Sequence, residues 1–377
     1  MNIFLSILLM GISCFIIWKA GGSFDIASEY LGRKMSAGVK GATINAVGSS
    51  IPELFTSILF LLLHRDEQGF AGGIGTSTGS AVFNAIIIPA VVILAVSLKL
   101  KSRIVISKKV ILRDGISLII AELILIYIIS KGTLTRMHGL FLMLLYAAYL
   151  MVLFVGMKRN TMVSADKKIM VEHKNRLSAL IKLDLRSVLI GDKPLNSLNA
   201  RALLLISIFV IGAACFLLVY SCELLGEATN ISLYFVSIIL ASAATSVPDM
   251  VLSIKDAQNG NYNDALSNAF GSNVFDICFA IGFPLFLFTF IYNKPIQLSS
   301  QTIQDIIPLQ VLLILFTIIT IIIFLIGRSL GRVKAYILLF MYGIFISFII
   351  FQSLNLYPIK PLIEALNQIR VFIQNIL

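Results

Sequence analysis

The sequence predicts an all-α integral membrane protein: ten transmembrane helices forming two inverted five-helix repeats, with broken helices at the midplane. Three observations predict it. Apolar residues make up 58% of the 377-residue chain, 13% are charged and the mean hydropathy is +0.95, values outside the soluble range. Runs of about twenty mostly apolar residues, the length that crosses a bilayer core, recur throughout. And one stretch occurs twice: Gly48-Ser49-Ser50-Ile51-Pro52-Glu53 returns as Ala244-Thr245-Ser246-Val247-Pro248-Asp249. Each copy is followed by a second shared string, Gly79-Ser80-Ala81-Val82-Phe83-Asn84 and Gly271-Ser272-Asn273-Val274-Phe275-Asp276. The paired acids lie 196 residues apart and the ends of the second strings 192, so the halves keep register within about one helical turn.

Taken in order, the spans are read as 2–31, 36–63, 70–98, 110–130 and 135–157, then 200–222, 229–256, 262–292, 304–326 and 332–354. The apolar run 3–18 in the first of these lacks the basic flank of a signal peptide and leads into more membrane sequence. Spans longer than twenty residues imply tilt or a break. Pro52 and Pro248 favour breaks, because each removes a backbone donor beside an acid. The resulting organisation is 1–157 for the first repeat, 158–199 for a basic cytoplasmic loop, 200–354 for the second repeat and 355–377 for an amphipathic tail. The loop (Lys167, Lys168, Lys174, Arg176) reads as a tether ahead of a surface helix. The tail (Leu362, Leu366, Ile369, Phe372, Ile373, Ile376) reads as lying on the outer interface.

Charge orients these spans. Of the 30 Lys and Arg, 23 fall in the connections at 32–41, 99–113, 158–201, 255 and 327–334. The positive-inside rule places those segments in the cytoplasm and the amino terminus outside. It also accounts for the net charge of +11 without nucleic acid. With five spans on each side of the loop, the repeats enter the membrane in opposite directions, the pattern of secondary transporters with a midplane site. The expected location is the cytoplasmic (plasma) membrane.

Intramembrane acids are costly and face a partner or a pathway. Glu53 and Asp249 each fall near the middle of a long span. Asp276 follows Ser272 by four residues, so the two share a helical face, as do Asn84 and Ser80. The pseudo-symmetric set is Glu53 with Asp249, Asn84 with Asp276, Ser50 with Ser246, Ser80 with Ser272 and Ser49 with Thr245. Interhelical hydrogen bonding is the ordinary use of Ser and Asn in membranes, but it leaves two acids at matching repeat positions unexplained. Carboxylate, amide, hydroxyl and freed carbonyl oxygens suit hard cations such as calcium. Zinc, copper and iron are disfavoured, since no imidazole or thiolate joins the set. Three carboxylates need compensation, which calcium, several sodium ions, potassium or protons supply in exclusive combinations. The glycines around the first motif read as close helix packing. Lys19, Asp25 and Glu29 read as a network rather than ligands, and Lys255 with Asp256 as a solvated helix end. Cys14, Cys215, Cys222 and Cys278 have no metal or disulfide spacing.

These paired motifs resemble the two repeats of the calcium/cation antiporter superfamily, which includes the sodium/calcium exchangers. Their wording is most similar to the potassium-dependent branch. The likeness covers roughly 25–90 and 235–285 by motif. It implies that Glu53 and Asp249 match the central calcium-binding acids, and that Ser50, Ser80, Asn84, Ser246, Ser272 and Asp276 match surrounding ligands. Asp276 is similar to the acid linked there to potassium. Backbone carbonyls of Ala46, Ser49, Ser242 and Thr245 would match outer sodium positions, and the first and sixth spans the sliding gate. Departures from the pattern are Ser49 for threonine, Ala85–Pro89 for a glycine-ended run, and Asp249 for glutamate.

The resulting expectation is a calcium/sodium antiporter, with or without potassium, and not an enzyme. It would need no cofactor, nucleic acid or obligate protein partner; its partners are the ions and the bilayer. Proton-coupled calcium exchange is the alternative. An intramembrane aspartyl protease is disfavoured by the absence of Gly-x-Gly-Asp, and a passive channel would differ in failing to drive uphill flux.

Overall fold

A computed structural model describes residues 2–33, 39, 41–100, 104–155, 179, 182–191, 193–327, 329–354, 361–366 and 368. The first repeat runs α1 (Asn2–Leu31), α2 (Ala46–Ser49), α3 (Ile51–His64), α4 (Glu67–Val82), α5 (Ile88–Ala95), α6 (Lys108–Ser130) and α7 (Arg136–Val155). A short helix, α8 (Leu185–Leu189), precedes the second repeat. That repeat comprises α9 (Ser197–Thr229), α10 (Leu233–Val236), α11 (Ser242–Thr245), α12 (Val247–Gln258), α13 (Tyr262–Phe275), α14 (Gly282–Ile291), α15 (Ser300–Leu325) and α16 (Arg332–Ser353). In both repeats a long helix is followed by a broken one, then a third helix with a π-turn in it, then two more.

Among the described residues eight helices are long and apolar enough to cross a membrane, and the bent pair at 42–64 makes a ninth. The tenth unit is α6. Its 23 residues span about 34 Å at 1.5 Å per residue, but Arg113, Asp114 and Glu122 lower its apolarity. Sequence reading placed that span without weighing those charges. All three are accommodated by neighbours. Asp114 accepts from Arg113 (2.6 and 2.9 Å), Ser267 (2.6 Å) and Tyr149 (3.2 Å), and Glu122 accepts from Thr317 at 2.9 Å.

The connections that charge assigns to one face meet one another. On the face read as outer, Thr133–Leu134 pairs antiparallel with Ile296–Gln297, and Glu67 accepts from the Ser299 backbone at 2.6 Å. On the basic face, Ile104 bridges to Leu330, and Ser107 N–H donates to Asn263 at 3.0 Å. The two longest helices, α1 and α9, pack along each other. They turn Phe4 (76% exposed) and Phe209 (77%) outward, where lipid rather than water is the expected neighbour. On the other flank, α7 and α14 cross through Gly139 and Gly282, where an added Cβ would meet the opposing backbone oxygen at 2.6 and 2.9 Å. Gly139→Val is expected to lower stability by about 2–3 kcal/mol, read by thermal unfolding in detergent.

Most of the basic loop, including Lys167, Lys168, Lys174 and Arg176, lies outside the described residues, as do 369–377 of the tail. Where the loop is described, α8 is capped by Asp184, and Ile190 is buried with Ala27 and Leu203. In the tail Leu366 is buried and Leu362 half-exposed. Asp256 corrects the sequence reading: it is 6% exposed and accepts from Asn45 Nδ2 at 3.2 Å. The helix end folds back against the π-turn of the first repeat instead of facing solvent. Lys255 does sit near the surface, 3.3 Å from Glu29. Lys19 lies over the Trp18 ring, with the ammonium 4.3 Å from the ring centroid.

Candidate functional site

Glu53 and Asp249 each occupy the first turn of a half-helix. Pro52 cannot donate to the carbonyl of Gly48, and the chain bends by 44° at Ser50, whose φ/ψ is −92°/8°. Glu53 follows in the first turn of α3. Pro248 and Asp249 repeat this at the start of α12, but Ser246 at −78°/−3° departs less from helical geometry, and 233–258 continues as one span. A carboxylate in a helix's first turn faces the positive end of its dipole. That placement offsets part of the cost of burying it.

Four π-turns frame the breaks: Gly41–Asn45 and Ser237–Ala241 before the two acids, Phe83–Ile87 and Asp276–Ala280 after the two hydroxyl strings. Such one-turn bulges re-aim side chains and concentrate at functional sites. Asn84 and Asp276 each belong to one. Sequence reading missed them, because the five-residue strings share no residue pattern and only packing selects i→i+5 bonding.

Glycine brings the repeats together. A Cβ on Gly79 of α4 would lie 2.1 Å from the Ile238 carbonyl, and one on Gly271 of α13 would lie 2.7 Å from Ala42 Cα. Each hydroxyl string thus seats on the other repeat's π-turn. At the first break, Gly48 lies against the Phe24 ring.

The structure brings together nearly the whole predicted set. Glu53, Asp249, Asp276, Asn84, Ser50, Ser80, Ser246, Ser272 and Thr245 are all fully buried, and Ser49 is 4% exposed. Ser80 is the hub. Its hydroxyl lies 3.0 Å from Glu53 Oε1 and 3.2 Å from Asp276 Oδ2, and it accepts from Ser246 (2.9 Å) and Asn84 Nδ2 (3.4 Å). One hydroxyl proton serves only one of the two acids at a time. Asp249 Oδ1 accepts from Ser272 at 2.6 Å and from Ser49, and Asp249 Oδ2 from Asn84 at 3.2 Å. Ser50 sits beside Asp276, and Thr245 beside Glu53. Glu53 and Asp249 therefore contact groups from both repeats, and Asp276 of the second repeat contacts hydroxyls of the first.

Among the described residues no Lys, Arg or His pairs with these three carboxylates. Glu53 Oε2, Asp276 Oδ1 and Asn84 Oδ1 are buried with no hydrogen-bond partner. Among the described residues no three His, Cys, Asp or Glu groups converge tightly enough to hold a metal by themselves; the acids are joined through hydroxyl and amide groups. A hard cation takes six to eight mixed oxygens, and this set is of that kind.

The carbonyls of Ala46 and Ser242 are engaged within their own helices. They accept the Ser50 and Ser246 N–H groups at 3.1 and 3.0 Å. Two residues enlarge the set beyond the sequence reading. Asn268 donates to Asp249 Oδ1 (3.3 Å) and to Ser253 (3.1 Å), and Gln310 donates to Thr78, next to the Gly79-Ser80 string. Asn268 stands where the first repeat has Thr76, and Gln310 lies in a distant span. Neither carries a repeat signal.

The family model for "Sodium/calcium exchanger protein" matches residues 4–155 and 200–351. The chain belongs to that family. Sodium/potassium/calcium exchanger 5 of Homo sapiens is 26% identical over 354 residues, covering 74% of this chain and 69% of that protein. The chain spans about a fifth of the length of other vertebrate sodium/potassium/calcium exchangers that it matches. Among solved structures, the H+/Ca2+ exchanger CAX superposes with a TM-score of 0.66 at 15% identity, over 99% of this chain and 85% of that one. The sodium-calcium exchanger NCX_Mj does so with a TM-score of 0.58 at 20% identity, over 91% and 98%. These likenesses establish the fold: an integral membrane protein of the ten-helix inverted-repeat type.

Proposed function

We propose that this family member is a secondary antiporter that exchanges calcium for sodium by alternating access in the plasma membrane, with potassium as a co-transported ion. The observation that carries the reading is the buried oxygen set. Three carboxylates drawn from both repeats meet without a cationic side chain, and three of their acid or amide oxygens have no partner. Glu53 and Asp249 hold calcium at the midplane. Asp276 and Asn84, with Ser50, Ser80, Ser246, Ser272, Ser49 and Thr245, complete the ligand set. The carbonyls of Ala46, Ser49, Ser242 and Thr245 supply outer sodium ligands. The Ala46 and Ser242 carbonyls also accept from the Ser49 hydroxyl (3.5 Å) and the Thr245 hydroxyl (3.1 Å), and an ion at these carbonyls takes the place of those side-chain bonds on the second lone pair.

Coupling follows from charge. The set carries up to three negative charges and excludes solvent, so it stays filled in either state. Calcium and sodium compete to fill it, and an empty site does not cross the membrane. The repeats are 1–157 and 200–354, with the amino terminus outside and the 158–199 loop cytoplasmic. The packed pair α1 and α9 slides relative to the rest.

The test is calcium uptake into proteoliposomes loaded with sodium, with and without potassium. Uptake that requires internal sodium is the expected result. A further requirement for potassium assigns Asp276 its role, whereas sodium-independent uptake driven by a pH gradient replaces sodium by protons in this reading. Ser80→Ala is expected to weaken apparent calcium affinity about tenfold, the worth of one charge-assisted hydrogen bond. It removes the one hydroxyl that touches both Glu53 and Asp276. An unchanged KM would remove Ser80 from the site.

A further inference from the structure

Two ion pairs tie the α1–α9 pair to the half-helices that carry Glu53 and Asp249, one near each face. On the basic face, Lys255 in the last turn of α12 lies 3.3 Å from Glu29 of α1. On the face read as outer, His64 in the last turn of α3 lies 2.8 Å from Glu223 of α9. A base in a helix's last turn also complements the negative end of its dipole, so both bases have reason to stay with their half-helices.

Each paired acid has a second acid one turn away on its own helix. Asp25 precedes Glu29 by four residues and is within electrostatic reach of Lys255. Glu227 follows Glu223 by four and lines the same cavity as His64. Four residues rise about 6 Å and return to the same helical face. Direction links the two ends. Ala27, near the end of α1, clusters with Leu203, near the start of α9, so the two helices run antiparallel. Asp25 lies toward the start of α1 and Glu227 toward the end of α9, which is one direction along the pair. A single displacement of about 6 Å therefore brings Asp25 to Lys255 and Glu227 to His64 together.

We propose that these four acids index the sliding of the α1–α9 pair at two registers one helical turn apart; the inference rests on the antiporter reading, which supplies the slide. Glu29 and Glu223 hold the described register, in which Glu53, Asp249 and Asp276 are fully buried. Asp25 and Glu227 hold the shifted one. All four are positioning residues that act through Lys255 and His64. One-turn ratchets of one packed element past another are an established form of two-state transition. Both described pairs are partly exposed, so each contributes little alone, and the two registers stay close enough in free energy to exchange.

Cross-linking reads the register directly. Lys255→Cys is combined with Glu29→Cys or with Asp25→Cys, and His64→Cys with Glu223→Cys or with Glu227→Cys. A short bis-methanethiosulfonate is applied in membranes, with wild-type protein, whose own cysteines are buried or half-buried, as the background. Replacing sodium by calcium should shift yield between the two partners of each base, in the same sense at both faces. Yields that no ion alters, or that move in opposite senses at the two faces, overturn the proposal. Exchange in proteoliposomes gives a readout that a merely structural role would not move. Glu29→Gln and Glu223→Gln should change the ratio of KM for outside calcium to KM for inside calcium in one sense, by about two- to fivefold. Asp25→Asn and Glu227→Gln should change it in the other. Any other pattern of signs, or no shift, overturns the indexing. If wild-type protein exchanges no calcium while the ion-dependent cross-links stand, the antiporter reading fails and the two registers remain.

Discussion

Glu53→Gln and Asp249→Asn are each expected to reduce sodium-driven calcium uptake at least about 100-fold, the factor that roughly 3 kcal/mol of lost ion binding produces. Both acids are fully buried and take every hydrogen bond from neutral donors. Substitution by amide removes one of the three charges in this buried carboxylate set. Asp249→Asn is expected to be the more severe. Asp249 accepts on both oxygens, from Ser272 and Asn268 on one and from Asn84 Nδ2 at 3.2 Å on the other. An asparagine there must turn an NH2 group toward one of those donors. Glu53 has one oxygen without a partner, so glutamine fits with its NH2 on that side. Uptake is measured beside the monodisperse yield of each variant. Near-wild-type uptake in either would remove that acid from the ion path.

Gly79→Ala is expected to damage fold and transport together. The new Cβ would lie 2.1 Å from the Ile238 carbonyl and 2.5 Å from Ser242 Oγ. A backbone oxygen in a packed π-turn cannot rotate away, so α4 must move off the second repeat. Overpacking of this kind costs about 1–3 kcal/mol, occasionally more. Ser80 is the next residue, so the displacement also pulls the hub hydroxyl from Asp276 and Ser246. Gly343→Ala is the control: it lies in α16 with nothing within 4 Å, and alanine favours helix by about 1 kcal/mol there. A thermal unfolding series should place Gly79→Ala well below wild type and Gly343→Ala at or above it. Equal midpoints for wild type and Gly79→Ala would show that the repeats do not need this contact.

Much of this was legible in the sequence for a physical reason. Hydropathy sets the spans because every backbone group in a bilayer must be paired within its helix. The duplicated acid was legible because burying Glu53 and Asp249 is costly enough that chance does not retain it twice in register. The pairing of Ser49 with Thr245, Ser50 with Ser246 and Ser80 with Ser272 follows from that register, and all six hydroxyls are indeed buried around the acids.

The tertiary structure decided which groups actually meet. Repeat symmetry pairs Ser80 with Ser272, yet Ser80 touches two acids and Ser272 one, because the first repeat has Asn84 where the second has Asp276. No pattern in the chain announces that Asn268 reaches Asp249, that Asn45 holds Asp256, or that Gln310 comes across to Thr78. Those contacts join segments between about twenty and more than two hundred residues apart. Composition and periodicity determine the membrane fold, because they set each helix's cost in lipid. The packing of one repeat against the other decides the site, because only proximity tells a buried polar group which partner it has.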